Sequence, residues 1–138
     1  MTPAQIAVVK ESFAKVVPIK ETAAELFYNR LFELDPSLKR LFHTDMKEQG
    51  QKLMATLAVA VGGLDNLDAI IPVVRDLGAR HVGYGVEEAH YETVGTALIW
   101  TLEQGLGDDF TNQTKEAWLA AYGLLTSVMI EGGEGAAA

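Results

Sequence analysis

Apolar residues recur along most of the chain at the spacing of one face of an α-helix. Alternation with a period of two, which is typical of strands, is scarce. Proline, glycine and aspartate interrupt the helical stretches at short intervals. The pattern therefore predicts an all-α fold of about six main helices with short turns. These helices are expected at residues 3–17, 21–34, 46–61, 68–82, 87–106 and 111–130, with a short helical turn at 37–42.

The length and composition suit one domain with its own core, since the chain has 138 residues of which 49% are hydrophobic. We expect this domain to span residues 1–131, followed by a flexible Gly/Ala-rich tail at 132–138. The absence of cysteine excludes disulfide scaffolds, iron–sulfur sites and thiol catalysis.

The acidic charge narrows the classes of partner. A net charge of −8 opposes binding to nucleic acid and to anionic membranes. The longest uncharged run, residues 53–64, is shorter than the roughly 18 residues that a membrane span needs. We therefore expect a cytoplasmic protein that contacts neither nucleic acid nor membrane.

His81 is the histidine most suited to chemistry, because it extends the apolar stripe of its helix after Val74 and Leu77. On spacing alone, a core histidine bonded to a backbone carbonyl is the commoner interpretation. A lone histidine does not make a zinc site, whereas haem needs only one axial protein ligand. Such a ligand should donate its other ring N–H to a carbonyl, and that of Leu77 lies one turn earlier.

A haem group also needs side chains that contact it on the side away from the axial histidine, and other helices offer candidates. Gln49, Leu53 and Leu57 form a stripe with one polar residue beside apolar ones. Tyr28 brings a phenol to the inner face of its helix, and Phe42 ends the short helical turn. Each of these residues also has a plain structural interpretation, as core, solvated surface or corner packing. Periodicity alone does not show that they lie close together in the fold.

Short motifs in a fixed order cover nearly the whole chain except the tail: residues 26–32 (LFYNRLF), 35–36 (DP), 41–42 (LF), 49, 52–54 (KLM), 71–72 (IP), 77–81 (LGARH), 84–86 (YGV), 90–95 (HYETVG), 117–118 (AW) and 121–123 (AYG). This order resembles the globin family, and most of all the single-domain bacterial globins and the globin domain of flavohaemoglobins.

The resemblance implies a globin fold around a b-type haem. It makes His81 the proximal iron ligand and Phe42 the ring that stacks on the haem. It makes Tyr28 and Gln49 the distal pair that hydrogen-bonds dioxygen, with Leu53 beside them. Two such donors aimed at a ligand with partial negative charge should slow its release. We expect the other cofactor contacts to include Leu57, Leu77, Tyr84, Val86, Tyr91 and Val94.

One position departs from the flavohaemoglobin pattern. In that family a glutamate on the last helix bonds to the proximal histidine near a tyrosine, which Tyr91 matches. Gly133 stands at the place of the glutamate, between Glu131 and Glu134. Because a carboxylate there would push electron density towards iron, its loss argues against peroxidase-like chemistry.

Three functions remain open at this point. The first is reversible binding of dioxygen or another small ligand, for oxygen binding or transport. The second is nitric oxide dioxygenase activity, for which we expect a separate reductase. The third is a helical module that has lost its cofactor. Oligomeric state is not predicted.

Overall fold

The computed structural model describes residues 1–42, 45–83 and 88–137, which hold six α-helices and three short 3₁₀ helices and no strand. The prediction of an all-α fold with six main helices is confirmed. The helices are α1 (Pro3–Val16), α2 (Lys20–Leu34), α3 (Met46–Gly62), α4 (Leu67–Gly83), α5 (Glu88–Leu106) and α6 (Asn112–Ala137). The 3₁₀ helices span Val17–Ile19, Pro36–Leu41 and Gly107–Asp109.

Local sequence signals set several helix ends. Thr2 caps α1, because its side chain accepts the Gln5 N–H and the Gln5 side chain accepts the Thr2 N–H. Pro3 follows as the first helical residue, where a missing N–H costs nothing. Asp35 ends α2 in an extended conformation and caps the next 3₁₀ helix through the Ser37 N–H.

The core lies where α1, α2, α5 and α6 meet. Val9 and Leu31 are almost wholly buried there, and the Trp118 ring packs near Phe13 with centroids 6.3 Å apart. The Trp118 indole N–H donates to Ser12 Oγ at 2.8 Å, so the buried donor has a partner. α4 stands apart from this arrangement, because it packs chiefly against α6.

Helices α2 and α3 cross closely at a glycine. A Cβ on Gly50 would lie 2.9 Å from the Cβ of Ala24, so no larger residue fits without a shift. This close approach matters for the site, because Gln49 precedes Gly50 and Tyr28 lies one turn after Ala24.

Two sequence predictions differ from the structure. The sequence pattern predicts an inner stripe of α3 through Met46, Gln49, Leu53, Leu57 and Val61, of which only Val61 is fully buried; the other buried residues of the helix are Gly50 and Met54. Gln49, Leu53 and Leu57 are half-buried, and Met46 is 38% exposed. The reason is that α3 turns Gly50 towards Ala24 of α2, which leaves most of the predicted stripe at the edge of the core.

The last helix is also longer than the sequence indicates. α6 continues to Ala137, whereas the pattern predicted an end near residue 130. Glycines at 132, 133 and 135 are poor helix formers, which is why the segment resembles a tail. Among the described residues, no helix is both long and apolar enough to cross a membrane.

Candidate functional site

Tyr28 and Gln49 are brought together from α2 and α3. Tyr28 is only 7% exposed, and its burial raises the pKa of the phenol, while a side-chain hydrogen bond from Gln49 lowers it. The Gln49 amide and the Tyr28 hydroxyl are therefore hydrogen-bond partners, and the raised pKa keeps the phenol protonated at neutral pH.

The Tyr28 ring lies in an aromatic cluster. Its centroid is 5.4 Å from that of Phe42 in an edge-on arrangement, and Phe42 lies 5.6 Å from Phe32. Such edge-to-face pairs fix ring orientation as well as burying apolar area. Phe42 itself is half-buried, so part of its surface remains accessible.

His81 lies in the last turn of α4 and is half-buried. Its Nδ1 is 2.7 Å from the Leu77 carbonyl oxygen, which confirms the predicted hydrogen bond and makes Nδ1 the donor. Burial lowers the pKa of the imidazole, the bond to Leu77 raises it and nearby Arg80 lowers it, with a net fall. His81 is therefore held as a neutral ring with its Nδ1 proton directed at the backbone.

Tyr91 stacks beside His81, with ring centroids 6.5 Å apart. Its backbone carbonyl accepts the hydroxyl of Tyr122 at 2.5 Å, which links α5 to α6. Gly95 makes room for this contact, since a Cβ there would lie 2.6 Å from the Tyr122 ring. Burial raises the pKa of both tyrosines, so both phenols stay protonated.

Tyr122 was not among the predicted site residues. Its spacing after Trp118 fits the apolar stripe of the last helix, which indicates a packing role. The available signal was the Ala121-Tyr122-Gly123 motif, which gave no partner for the hydroxyl.

The remaining predicted contacts fall into two groups. Leu53, Leu57, Leu77 and Val94 are half-buried, and Leu53, Leu57 and Val94 pack on the edge of the core. Tyr84 and Val86 lie outside the described residues.

Glu131, two residues before the missing carboxylate position, has its partner elsewhere. Glu131 binds Arg75 of α4, with 2.9 Å between the guanidinium nitrogen and the carboxylate oxygen. Arg75 lies almost two turns before His81, and the helical backbone of α6 continues through Gly133. Glu131 is thus engaged in a surface ion pair between α4 and α6.

A groove with a cavity volume of about 1080 Å³ is lined mainly by residues of α2 and α3. Tyr28 and Phe42 contribute to its wall, and Lys20, Glu25 and Lys47 stand at its edges. Its described lining residues include none from α4.

The sequence profile of the Globin family matches residues 25–129. The chain belongs to the globin family. The Flavohemoprotein of Bacillus subtilis (strain 168) is 33% identical over 128 residues, which are 91% of this chain and 32% of that protein. The Flavohemoprotein of Vibrio cholerae serotype O1 is 32% identical over 122 residues, or 83% of this chain and 31% of that protein.

The chain spans about a third of the length of the curated relatives that it matches. The structure of a hexacoordinated heme protein from an anhydrobiotic tardigrade at pH 4 has the same fold, with a TM-score of 0.88 and 20% identity. That alignment covers 97% of this chain and 96% of the tardigrade chain.

Haem is the cofactor that this globin implies, and the described residues fit it. His81 offers a neutral imidazole whose orientation is fixed through Nδ1, which is the state that binds iron. Phe42, Leu53, Leu57 and Val94 retain partly exposed apolar surface that a flat apolar group would cover. In the described part of the chain, His, Cys, Asp and Glu side chains form no cluster able to hold a metal ion by themselves.

Proposed function

We propose that this globin binds dioxygen reversibly on a b-type haem, with His81 as the axial protein ligand. Haem supplies an iron that takes up small gaseous ligands, and the protein decides how strongly they are held. In the proposal, Tyr28 and Gln49 are hydrogen-bond donors on the distal side. The ring of Phe42 stacks on the cofactor, beside the apolar side chains of Leu53 and Leu57.

The observation that carries the proposal is the hydrogen bond between Gln49 and the buried phenol of Tyr28. A phenol both donates and accepts hydrogen bonds, and an amide side chain does the same, so the pair brings two donors to one place. A buried, protonated phenol stabilises a ligand that carries partial negative charge, and dioxygen on ferrous iron is such a ligand. This favours slow release of dioxygen.

The direct test uses the purified 138-residue chain reconstituted with haem. We expect a strong Soret band, a ferrous form that changes spectrum on exposure to air, and recovery of the ferrous spectrum when oxygen is removed. A protein that takes up no added haemin would support the third hypothesis, a module without cofactor, and would overturn the proposal. Haem uptake without reversible oxygenation would overturn its oxygen-binding part alone.

Nitric oxide dioxygenase activity is the second candidate. It is favoured by the flavohemoproteins among the relatives, of which this chain spans about a third. The reaction consumes one nitric oxide, one dioxygen and one electron for each nitrate, so it needs a reductase as partner. Oxygenated protein should be mixed with nitric oxide with and without an added flavin reductase. Many nitrates per haem with the reductase support an enzyme, whereas one nitrate per haem in both cases supports binding alone.

A further inference from the structure

The crossing of α4 and α6 is built on two glycines that touch the backbone of the opposite helix. A Cβ on Gly78 would lie 2.0 Å from the carbonyl oxygen of Met129, and a Cβ on Gly132 would lie 2.2 Å from that of Arg75. Real Cβ atoms essentially never come within 3.0 Å of such atoms. Since both obstacles are backbone, neither is able to rotate aside, and a side chain at either position has to separate the helices.

The two contacts are reciprocal. Arg75 and Gly78 are three residues apart on α4, and Met129 and Gly132 are three residues apart on α6, or about 4.5 Å along each axis. Two points of backbone contact fix both the separation of the helices and their rotation. Because α4 packs chiefly against α6, the geometry of this crossing determines where α4 lies.

His81 depends directly on this crossing. It lies three residues after Gly78, and its Nδ1 bonds to the carbonyl of Leu77, the residue just before that glycine. The ring and the carbonyl that orients it are therefore parts of one rigid helical segment. A shift of α4 carries both together, and the hydrogen bond does not correct for it.

We infer that Gly78 and Gly132 are positioning residues for His81, which set where the imidazole stands relative to the haem by fixing α4 against α6. The inference rests on the proposed role of His81 as iron ligand. Gly132 lies beyond residues 25–129, where the family profile matches, so this half of the crossing lies outside the matched region. The inference also assigns a role to the end of α6 beyond residue 130, which is to position α4. Gly133 in this segment provides no carboxylate for His81.

The test compares Gly78→Ala and Gly132→Ala with Gly123→Ala. Gly123 also lies in α6, but a Cβ there meets nothing within 4 Å, so the control makes the same chemical change without the contact. The readouts are the iron–histidine stretching frequency of the reduced protein by resonance Raman, and the rate of haem transfer to an acceptor protein. We expect both contact variants to shift the frequency and to lose haem about 10- to 100-fold faster, as disturbed outer-shell partners do. The control should change neither.

Exogenous imidazole separates positioning from general packing. In a His81→Gly background, added imidazole should restore an iron–imidazole band, and adding Gly78→Ala should not shift that band, because the ligand is no longer attached to α4. If Gly78→Ala does not fold, Gly132→Ala is the test variant. It should change the iron–histidine frequency and the haem-loss rate in the same direction but by less, because only a few residues of α6 follow Gly132.

The outcomes distinguish the inference from the proposed function. A His81→Gly protein that keeps the wild-type iron–histidine band would overturn the role of His81 itself. If His81 is established as ligand but folded Gly78→Ala and Gly132→Ala retain the wild-type frequency and haem-loss rate, only the inference is wrong. Lower thermal stability with an unchanged frequency would also overturn it, since that is the signature of packing alone.

Discussion

The distal and proximal sides of the proposed haem site are held in different ways. On the distal side, side chains hold one another: Gln49 bonds to the buried Tyr28, whose ring packs against Phe42. On the proximal side, the backbone does most of the holding: the Leu77 carbonyl orients His81, and Gly78 fits against the main chain of α6. Conservative substitutions should therefore tune the distal side gradually, whereas on the proximal side even one added methyl group moves a whole helix.

The largest expected effect is that of His81→Ala. Removing a proposed iron ligand should exceed the 10- to 100-fold loss of metal affinity typical of outer-shell changes, so we expect haem loss more than about 100-fold faster. Val73→Ala is the matched control, because Val73 is a 50% exposed residue of the same helix. The measurement is haem transfer to an acceptor. If His81→Ala lost haem at the wild-type rate, His81 would not be the iron ligand, and there would be no proximal side to compare with the distal side.

Tyr28→Phe should have the next largest effect. It keeps the ring contact with Phe42 and deletes only the hydroxyl. A hydrogen bond to a charged group contributes about 1.5–3 kcal/mol, which corresponds to roughly 10- to 100-fold faster dioxygen dissociation. Stopped-flow displacement of dioxygen by carbon monoxide measures this rate. An unchanged rate would show that the buried phenol does not contact the ligand.

Much of the fold was predictable from the sequence because helical periodicity and end signals act locally. Thr2 with Gln5, and Asp35 with Ser37, cap helices through contacts only two or three residues apart. The bond from His81 to Leu77 was predictable for the same reason, since one turn of a helix fixes the separation. The roles of Tyr28 and Gln49 stay predictions, although the structure brings their side chains into contact.

The remainder depends on contacts between distant segments, which periodicity does not encode. Gly78 and Gly132 meet the backbone of another helix, and a glycine gives no sign of what lies against it. Gly132 looked like part of a flexible tail because helix propensity disfavours it, but tertiary packing overrides that preference. The Tyr122 hydroxyl likewise finds its acceptor 31 residues away in sequence, on Tyr91.

Gln49→Leu should have a moderate effect on the distal side. Losing the amide partner of Tyr28 removes one neutral hydrogen bond, worth about 0.5–1.5 kcal/mol, so dioxygen dissociation should rise roughly 2- to 10-fold. It should also raise the pKa of Tyr28 further, since the bond from Gln49 lowers it. Gln51→Leu is the control, because Gln51 is an exposed residue of the same helix. Equal changes in the two variants would mean that the effect comes from the helix and not from the bond.

The smallest expected effect concerns the ion pair between Glu131 and Arg75, which joins the same two helices as the glycine crossing. Both side chains are more than half exposed, and such pairs contribute at most about 1 kcal/mol because water and salt screen them. Glu131→Gln should therefore lower the free energy of unfolding by less than that, and the difference should shrink further at high salt. It should leave the iron–histidine frequency unchanged, because backbone contact and not charge sets the position of α4. A frequency shift as large as that of Gly78→Ala would mean that the proximal side, like the distal side, is held by its side chains.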